Sequence, residues 1–183
     1  MSDLVKNWFG EEFASLHPLI QRLHLHGGTL SGDIKLSYGA GVAGLVGKRL
    51  GAKLGLPPRD GMHALTVNIS HENGQLVWSR EFSHGQMVST FTPSGVFPDG
   101  YWLENTGSIE LQLAVETKEG GWYWVQRQMR WMGLSVPRFL YPQTKAYKRI
   151  VEGKYEFGVA LSYRFFGTFV EYSGLLEARA SDV

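Results

Sequence analysis

The stretch LTVNISHENGQLVWSREFSHGQMVSTF, residues 65–91, decides the fold, because it reads as three β-strands joined by two tight turns. Asn73-Gly74 is the dipeptide most typical of a two-residue hairpin loop. In the middle strand every second side chain lies on one face, and that face carries Leu76, Trp78, Arg80 and Phe82. A cation on an apolar face needs an acid or hydrogen-bond partners, since burying it alone costs several kcal/mol. Arg80 therefore predicts a polar cluster inside a β-rich core.

Alternating apolar residues and glycine-containing turns continue on both sides of this stretch. Residues 63–131 read as six consecutive strands, residues 30–38 as one more, and about 155–163 and 168–177 as the last two. The range 133–153 contains two prolines, and we expect it to be a long connection with room for one helical turn. The pattern is that of a continuous antiparallel meander.

Helical spacing of apolar residues marks two segments near the N-terminus. Residues 11–25 form one helix or two short ones, because Pro18 is tolerated only near a helix start. Residues 40–55 form a glycine-rich helix suited to close packing, and Pro57-Pro58 ends it. We expect a single α+β domain over residues 1–183. Its strongly curved antiparallel meander, open or curled into a partial barrel, would be packed by these N-terminal helices.

Hairpin loops determine which residues face each other across neighbouring strands. With Asn73-Gly74 as one loop, Val67 lies opposite Arg80. With His84-Gly85 as the next loop, Arg80 lies opposite Ser89. Both registers match apolar residues with apolar residues, which supports them.

The acid that completes the cluster is Glu104. A turn at Thr106-Gly107 puts Glu104 opposite Ile109, on the apolar face of its strand. The predicted cluster is therefore a row on neighbouring strands, made of Val67, Arg80, Ser89 and Glu104, to which the strand over 122–131 adds Arg127 or Arg130.

This row has three interpretations. It is a structural ion pair, a polar anchor in an apolar cavity, or an enzyme site in which Glu104 acts as acid or base. We favour non-catalytic binding of an amphipathic or lipid-like small molecule over an enzyme, because an arginine beside Glu104 would weaken it as an acid. The walls of the cavity would be the aromatic residues Trp78, Phe82, Phe91 and Trp102.

A third function class rests on the basic stretch over residues 127–154. Between Arg127 and Lys154, Glu152 is the sole acid, and aromatic residues are interleaved with the cations. Such a stretch could contact an anionic membrane surface or an acidic protein partner. A solvated loop that packs its aromatic residues on the sheet explains the pattern as well.

Composition excludes several function classes. The net charge of +1 gives no general attraction for nucleic acid, and the absence of cysteine excludes thiolate metal sites and cysteine nucleophiles. No uncharged apolar run reaches the roughly 18 residues of a membrane span, and MSDLVKNWFG does not read as a signal peptide. We expect a cytoplasmic protein without a cofactor.

Two motifs that suggest a cofactor have simpler explanations. The G-x-G-x-x-G pattern at residues 39–44 lacks the βαβ context of a dinucleotide site, so we expect its glycines to serve packing. His24 and His26 lack the further ligands that a metal needs, and we expect them to be capping or surface residues.

Several segments together resemble a bacterial family, domain of unknown function 4166. They are LHPLIQRLH (16–24), LGLPP (54–58), WSREF (78–82), LENTG (103–107), the segment from Gly133 to Pro142, and Tyr172-Ser173-Gly174. The resemblance covers nearly the whole chain and has Arg80 and Glu104 among its recurring features. It implies no established activity. Some relatives look like C-terminal appendages of dehydrogenase-like proteins, which implies work beside an enzyme.

Overall fold

Ten antiparallel strands close into a barrel in the computed structural model, which describes residues 3–181. The strands are β1 (Gly28–Tyr38), β2 (Gly61–Glu72), β3 (Gln75–Phe82), β4 (Gly85–Ser94), β5 (Tyr101–Thr106), β6 (Ile109–Lys118), β7 (Gly121–Trp131), β8 (Leu134–Ser135), β9 (Gln143–Val151), β10 (Lys154–Tyr163) and β11 (Gly167–Ala180). Strands β1 to β7 pair in chain order, then β7 pairs with β9, β9 with β10, β10 with β11, and β11 with β1. The two-residue β8 pairs only with β7 and lies outside the ring.

The barrel confirms the curved antiparallel meander and is more complete than expected. The protein is mostly β with few helices, and the sheet that we expected to be open or a partial barrel is closed. Closure depends on β9, which lies in the range 133–153 that we expected to be a connection. Only one 3₁₀ turn, Arg138–Leu140, and the short β8 precede β9 there. The six predicted strands over 63–131 are confirmed as β2 to β7.

Helices cover both ends of the barrel. Helix α1 (Leu4–Phe9), a 3₁₀ helix (Gly10–Ser15) and helix α2 (Pro18–His26) precede β1, whereas helix α3 (Gly41–Lys53) follows it. Since β1 runs along the barrel wall, α2 lies at one end of the barrel and α3 at the other. Of the two readings of residues 11–25, two short helical pieces is the one observed.

Pro18 is the reason that α2 begins as a new helix. Proline suits the first helical position because it has no N–H to leave unpaired there. The ring Nδ1 of His17 accepts a hydrogen bond from the backbone N–H of Leu19 at 3.2 Å and so caps the helix. The chain can therefore turn between the 3₁₀ helix and α2, and α2 lays its buried residues against the barrel.

The glycines of α3 serve close packing, as predicted. A Cβ at Gly47 would overlap the backbone carbonyl of Phe169 in β11, and one at Gly51 would overlap the hydroxyl of Tyr38. Side chains at these positions would push the helix off the barrel. The face of α3 that carries Leu45 is exposed.

The predicted hairpin registers are confirmed for one loop and shifted for two. Val67 lies opposite Arg80, and both Asn73 and Gly74 have positive φ, as a two-residue primed turn requires. In the next hairpin the loop is Ser83-His84, so Arg80 lies opposite Met87 and not Ser89. Likewise the β5–β6 loop is Gly107-Ser108, so Glu104 lies opposite Leu111 and not Ile109. Both shifts are by two residues, which keeps every side chain on its predicted face.

None of the helices described within residues 3–181 is both long and apolar enough to cross a membrane.

Candidate functional site

A cavity of about 540 Å³ occupies the interior of the barrel. Its wall is mostly apolar and includes Leu30, Val67, Met87, Phe91, Leu113 and Phe157. A cavity of this size falls within the range of small-molecule binding sites, about 300–1,000 Å³. In a barrel of about eight strands, the inward side chains just fill the interior. A barrel of ten strands is wider, so it has room for a cavity.

The cavity opens at the end of the barrel that α3 covers. Three of its lining residues are well exposed: Val46 on α3 at 39%, Leu140 at 59%, and Phe166 in the β10–β11 turn at 55%. The other end is closed by α1 and α2, where Trp8, Phe9, Trp102 and Trp122 form an aromatic cluster. A ligand would enter past α3 and reach its deepest point beneath α2.

Arg80 is connected to Glu104 through two hydroxyl groups. The guanidinium Nη1 of Arg80 donates to Ser89 Oγ at 2.9 Å, and Ser89 Oγ lies 2.7 Å from Thr106 Oγ1. Thr106 Oγ1 in turn donates to Glu104 Oε1 at 3.4 Å. None of the ion pairs recorded among residues 3–181 joins Arg80 and Glu104 directly. Both residues line the cavity, so their charges face it across a hydroxyl bridge.

Lys148 is a second cation of the cavity, and it comes from β9. It lines the cavity, is only 3% exposed, and its Nζ lies 2.7 Å from Nε2 of His24. Indole rings surround the Nζ, with the ring centres of Trp122, Trp78 and Trp124 at 3.6, 4.6 and 5.3 Å. The imidazole of His24 is completely buried, and its Nδ1 lies 2.8 Å from the carbonyl oxygen of Ile20.

Burial favours the neutral forms of both groups. It lowers the pKa of Lys148 well below its usual range, and the positive charge of Arg80 lowers it further, against a smaller opposing effect of Glu104. Burial, and then the charge on Lys148, lower the pKa of His24 well below its usual range. An isolated charge is expensive in a low-dielectric interior, so the contact between these two side chains is best made by neutral groups.

Two buried donors of the cavity lack protein acceptors. Within the described chain, Trp78 Nε1 and the Tyr155 hydroxyl have no hydrogen-bond partner, and both residues line the cavity. Burial raises the pKa of Tyr155 well above its usual range, so its hydroxyl keeps its proton. Unpaired buried donors are rare in proteins because each costs about 1–3 kcal/mol. They suit an oxygen acceptor supplied by a ligand.

The structure brings part of the predicted site together. Arg80, Glu104, Trp78 and Phe91 line the cavity, and Ser89 lies just behind Arg80. Phe82 does not line the cavity, and the centre of its ring lies 6.4 Å from that of Tyr172. Trp102 belongs to the aromatic cluster under α1. The row runs diagonally across the strands, since Arg80 lies opposite Met87 and Glu104 lies opposite Phe91.

Arg127 lies outside the cavity, contrary to the sequence prediction. It is exposed, and its Nη1 donates to the carbonyl oxygen of Asp99 at 3.1 Å. Trp122, Trp124 and Gln126 face inward, so Arg127 alternates with them and faces outward. A β-bulge follows, where Leu113 pairs with Gln126 and Gln112 pairs with Gln128, and it turns Met129 inward and Arg130 outward. Arg130 is exposed too.

Sequence reasoning missed Lys148 and His24. Lys148 lies in the basic stretch over residues 127–154, which reads as a contact surface or a solvated loop, and His24 reads as a capping or surface residue. The missed signal is the alternation in QTKAYKRIV, where Thr144, Ala146 and Lys148 line the cavity while Lys145 and Arg149 are exposed. The basic stretch is thus divided between the two faces of a strand.

The residues that the structure describes contain no cluster of three or more histidine or acidic side chains arranged to hold a metal ion.

The fold and the site define a closed antiparallel β-barrel with an apolar interior cavity. Residues 16–176 match the model of a domain of unknown function (DUF4166), and the chain belongs to that family. Among solved structures, it is similar to a protein of unknown function from the DUF3598 family of Nostoc punctiforme PCC 73102, with a TM-score of 0.52 and 15% identity. The match covers 90% of this chain and 51% of that chain, so this chain spans about half of its length. At this identity the likeness concerns the fold alone. No curated protein matches the chain.

Proposed function

We propose that this protein binds one amphipathic, lipid-like small molecule inside the barrel, with Arg80 and Glu104 as the anchor for its polar head. The observation that carries the proposal is the cavity itself, apolar along its walls and polar at a few converging side chains. Sites for small molecules combine these two properties, since apolar contact supplies affinity and a few polar groups fix orientation.

The depth of the polar groups supports an amphipathic ligand that enters head first. Arg80 and Tyr155 are buried, whereas the exposed lining residues at the mouth, such as Leu140 and Phe166, are apolar. A polar head would therefore lie inside, and an apolar tail would extend toward α3. A fully polar ligand would leave the apolar walls without a partner.

The polar groups also indicate what the head must offer. Arg80, Trp78 Nε1 and the Tyr155 hydroxyl are donors, and Glu104 is the main acceptor. An oxygen-bearing head, such as a hydroxyl, carbonyl or carboxyl group, can accept from these donors.

Filling the cavity tests the proposal. Ala146 lines the cavity, whereas Ala160 on the neighbouring strand β10 is also half-buried but does not line it. We expect Ala146→Phe to weaken binding of 1-decanol at least tenfold and Ala160→Phe to leave it unchanged. The measurements are native mass spectrometry and tryptophan fluorescence, which reports through Trp78 and Trp124 at the wall. Equal binding by both variants would place the alcohol outside the barrel and refute the proposal.

A further inference from the structure

We propose that Lys148 is a nucleophilic amine that captures the carbonyl group of an apolar aldehyde or ketone as an imine. The inference rests on the proposed function, since it names the ligand class for the same cavity. It depends on four features: the position of the amine, its hydrogen bond, its charge, and the donors beside it.

The amine stands at the deep end of the cavity without an acid partner. Lys148 pairs with Trp122 across β7 and with Phe157 across β10, so its side chain is directed inward with theirs. None of the ion pairs recorded among residues 3–181 includes Lys148. A lysine kept only for its charge would normally reach solvent or a carboxylate.

The hydrogen bond to His24 orients the lone pair of the amine. The carbonyl oxygen of Ile20 can only accept, so Nδ1 of His24 carries the proton and Nε2 is the acceptor. Lys148 Nζ therefore donates to Nε2 across 2.7 Å. A neutral amine makes this bond with one N–H and keeps its lone pair for a ligand. An imidazolium facing an ammonium would place two donors in contact, which this geometry excludes.

The surroundings favour the neutral amine. The groups that act on its charge are His24 from α2, Arg80 from β3 and Glu104 from β5, and burial is the largest influence. The indole rings favour an ammonium, but contacts of that kind offset only part of the cost of burying a charge that lacks a counterion. Because the pKa of Lys148 is lowered well below its usual range, more of the reactive form is present at neutral pH.

The unpaired donors suit the oxygen of a carbonyl group. Tyr155 lies diagonally opposite Lys148, because Lys148 pairs with Phe157 two residues further along β10. Its hydroxyl and Trp78 Nε1 can donate to the carbonyl oxygen, which makes the carbonyl carbon more electrophilic. With a neutral Lys148, the charges of Arg80 and Glu104 balance, and an uncharged head fits the site.

The reaction is balanced without an oxidant or a reductant. The lone pair of Nζ forms a bond to the carbonyl carbon, and the π electrons of the C=O bond move to oxygen. His24 Nε2 takes a proton from the nitrogen and returns it to the oxygen, which gives a carbinolamine. The C–O bond then breaks as the nitrogen loses its second proton, one water leaves, and a C=N bond remains. His24 acts as a positioning residue and a proton carrier.

Trapping of the imine tests the inference. The full chain is treated at pH 7 with decanal and sodium cyanoborohydride, which delivers hydride to the imine carbon and leaves a stable secondary amine. We expect intact mass to rise by one decyl group and peptide mapping to place that group on Lys148. Because burial lowers the pKa of Lys148, more of its amine is neutral at pH 7, and Lys148 should be modified faster than exposed Lys145.

Matched variants distinguish the possible outcomes. Lys148→Met should lose the adduct and Lys145→Met should keep it. If Lys148→Met does not fold, peptide mapping of the wild-type chain decides. Decyl groups spread over surface lysines, with Lys148 unmodified, would overturn the inference. If 1-decanol still enters the cavity in that case, the proposed function stands without the imine. If neither decanol nor decanal enters, both proposals fail.

Discussion

Replacement of Arg80 by methionine separates a ligand anchor from a structural ion pair. Methionine has a similar length and no charge, so the substitution removes the guanidinium and keeps most of the volume. The side chain of Ser89 does not become isolated, since Thr106 Oγ1 remains 2.7 Å from its hydroxyl. The direct loss within the protein is one hydrogen bond to Ser89 and one contact with the ring of Trp78 at 5.4 Å.

These losses are small against the cost of burying a charge. A hydrogen bond from a charged group contributes about 1.5–3 kcal/mol, and a cation–π contact about 0.5–2 kcal/mol. Arg80 has no carboxylate within ion-pair distance among the described residues, and removing such a buried cation recovers a desolvation penalty of several kcal/mol. We therefore expect Arg80→Met to change the free energy of unfolding by no more than about 1 kcal/mol, net of these opposing effects.

The effect on a ligand is different, because nothing replaces the lost donor. A head group that loses a charge-assisted hydrogen bond loses about 1.5–3 kcal/mol, which corresponds to roughly 10- to 150-fold in Kd. Kd for 1-decanol is measured by tryptophan fluorescence, and stability by urea denaturation. Arg127→Met is the matched control, since Arg127 is an exposed arginine outside the cavity. It should change neither quantity.

The structural interpretation predicts the opposite pair of results. If Arg80 and Glu104 were coupled as a buried pair, removing one partner would cost about 3–5 kcal/mol. The double variant with Glu104→Gln would then recover much of that loss. A fall of this size in stability, with unchanged affinity for decanol, would refute the anchor.

Two further predictions concern α3 and the buried histidine. Gly47→Ala should lower the free energy of unfolding by about 1–3 kcal/mol, because its Cβ meets the carbonyl of Phe169, and urea denaturation should show no such fall for exposed Lys48→Ala. Below about pH 6.5, His24 is protonated in the unfolded chain but stays neutral in the folded protein, because burial lowers its pKa. The free energy of unfolding should therefore fall by up to about 1.4 kcal/mol for each pH unit below that value. Urea denaturation between pH 5 and 7 should show this slope reduced in His24→Gln and kept in exposed His84→Gln; equal slopes in both would contradict the burial argument.

Face assignment was predictable because a strand has a period of two residues. The hairpin loop at Ser83-His84 was misplaced by one residue, which shifted its register by two and left Arg80 on the inner face. Glu104 was placed on the correct face for the same reason, although its partner was wrong. For the strand over 122–131 the turn is not fixed by the sequence, so either Arg127 or Arg130 can be expected inside. Alternation with the inward Trp124 and Gln126 puts Arg127 outside, and the β-bulge breaks the alternation and puts Arg130 outside as well.

The closure of the barrel was not predictable by the same reasoning. Pro137 and Pro142 argue against a strand locally, and three cations between residues 143 and 151 read as a solvated surface. Lysine is rarely buried, so Lys148 gave no local indication of an inner face. Lys148 is buried because it pairs with Trp122 on β7 and with Phe157 on β10. These partners lie on other strands, so the local sequence of β9 does not reveal them.

The closure of the barrel, its interior cavity and the position of Lys148 therefore all depend on strand β9. As the strand between β7 and β10, it completes a ring of ten, and a ring of ten is wider than side chains alone would fill. The aromatic cluster under α1 and α2 fills one end, and the remaining space is the cavity. The same strand carries Lys148 into that space against His24. A substitution that disrupts the pairing of β9 should therefore open the barrel and also remove Lys148 from the cavity. The chemistry of the site thus depends on the closure of the barrel.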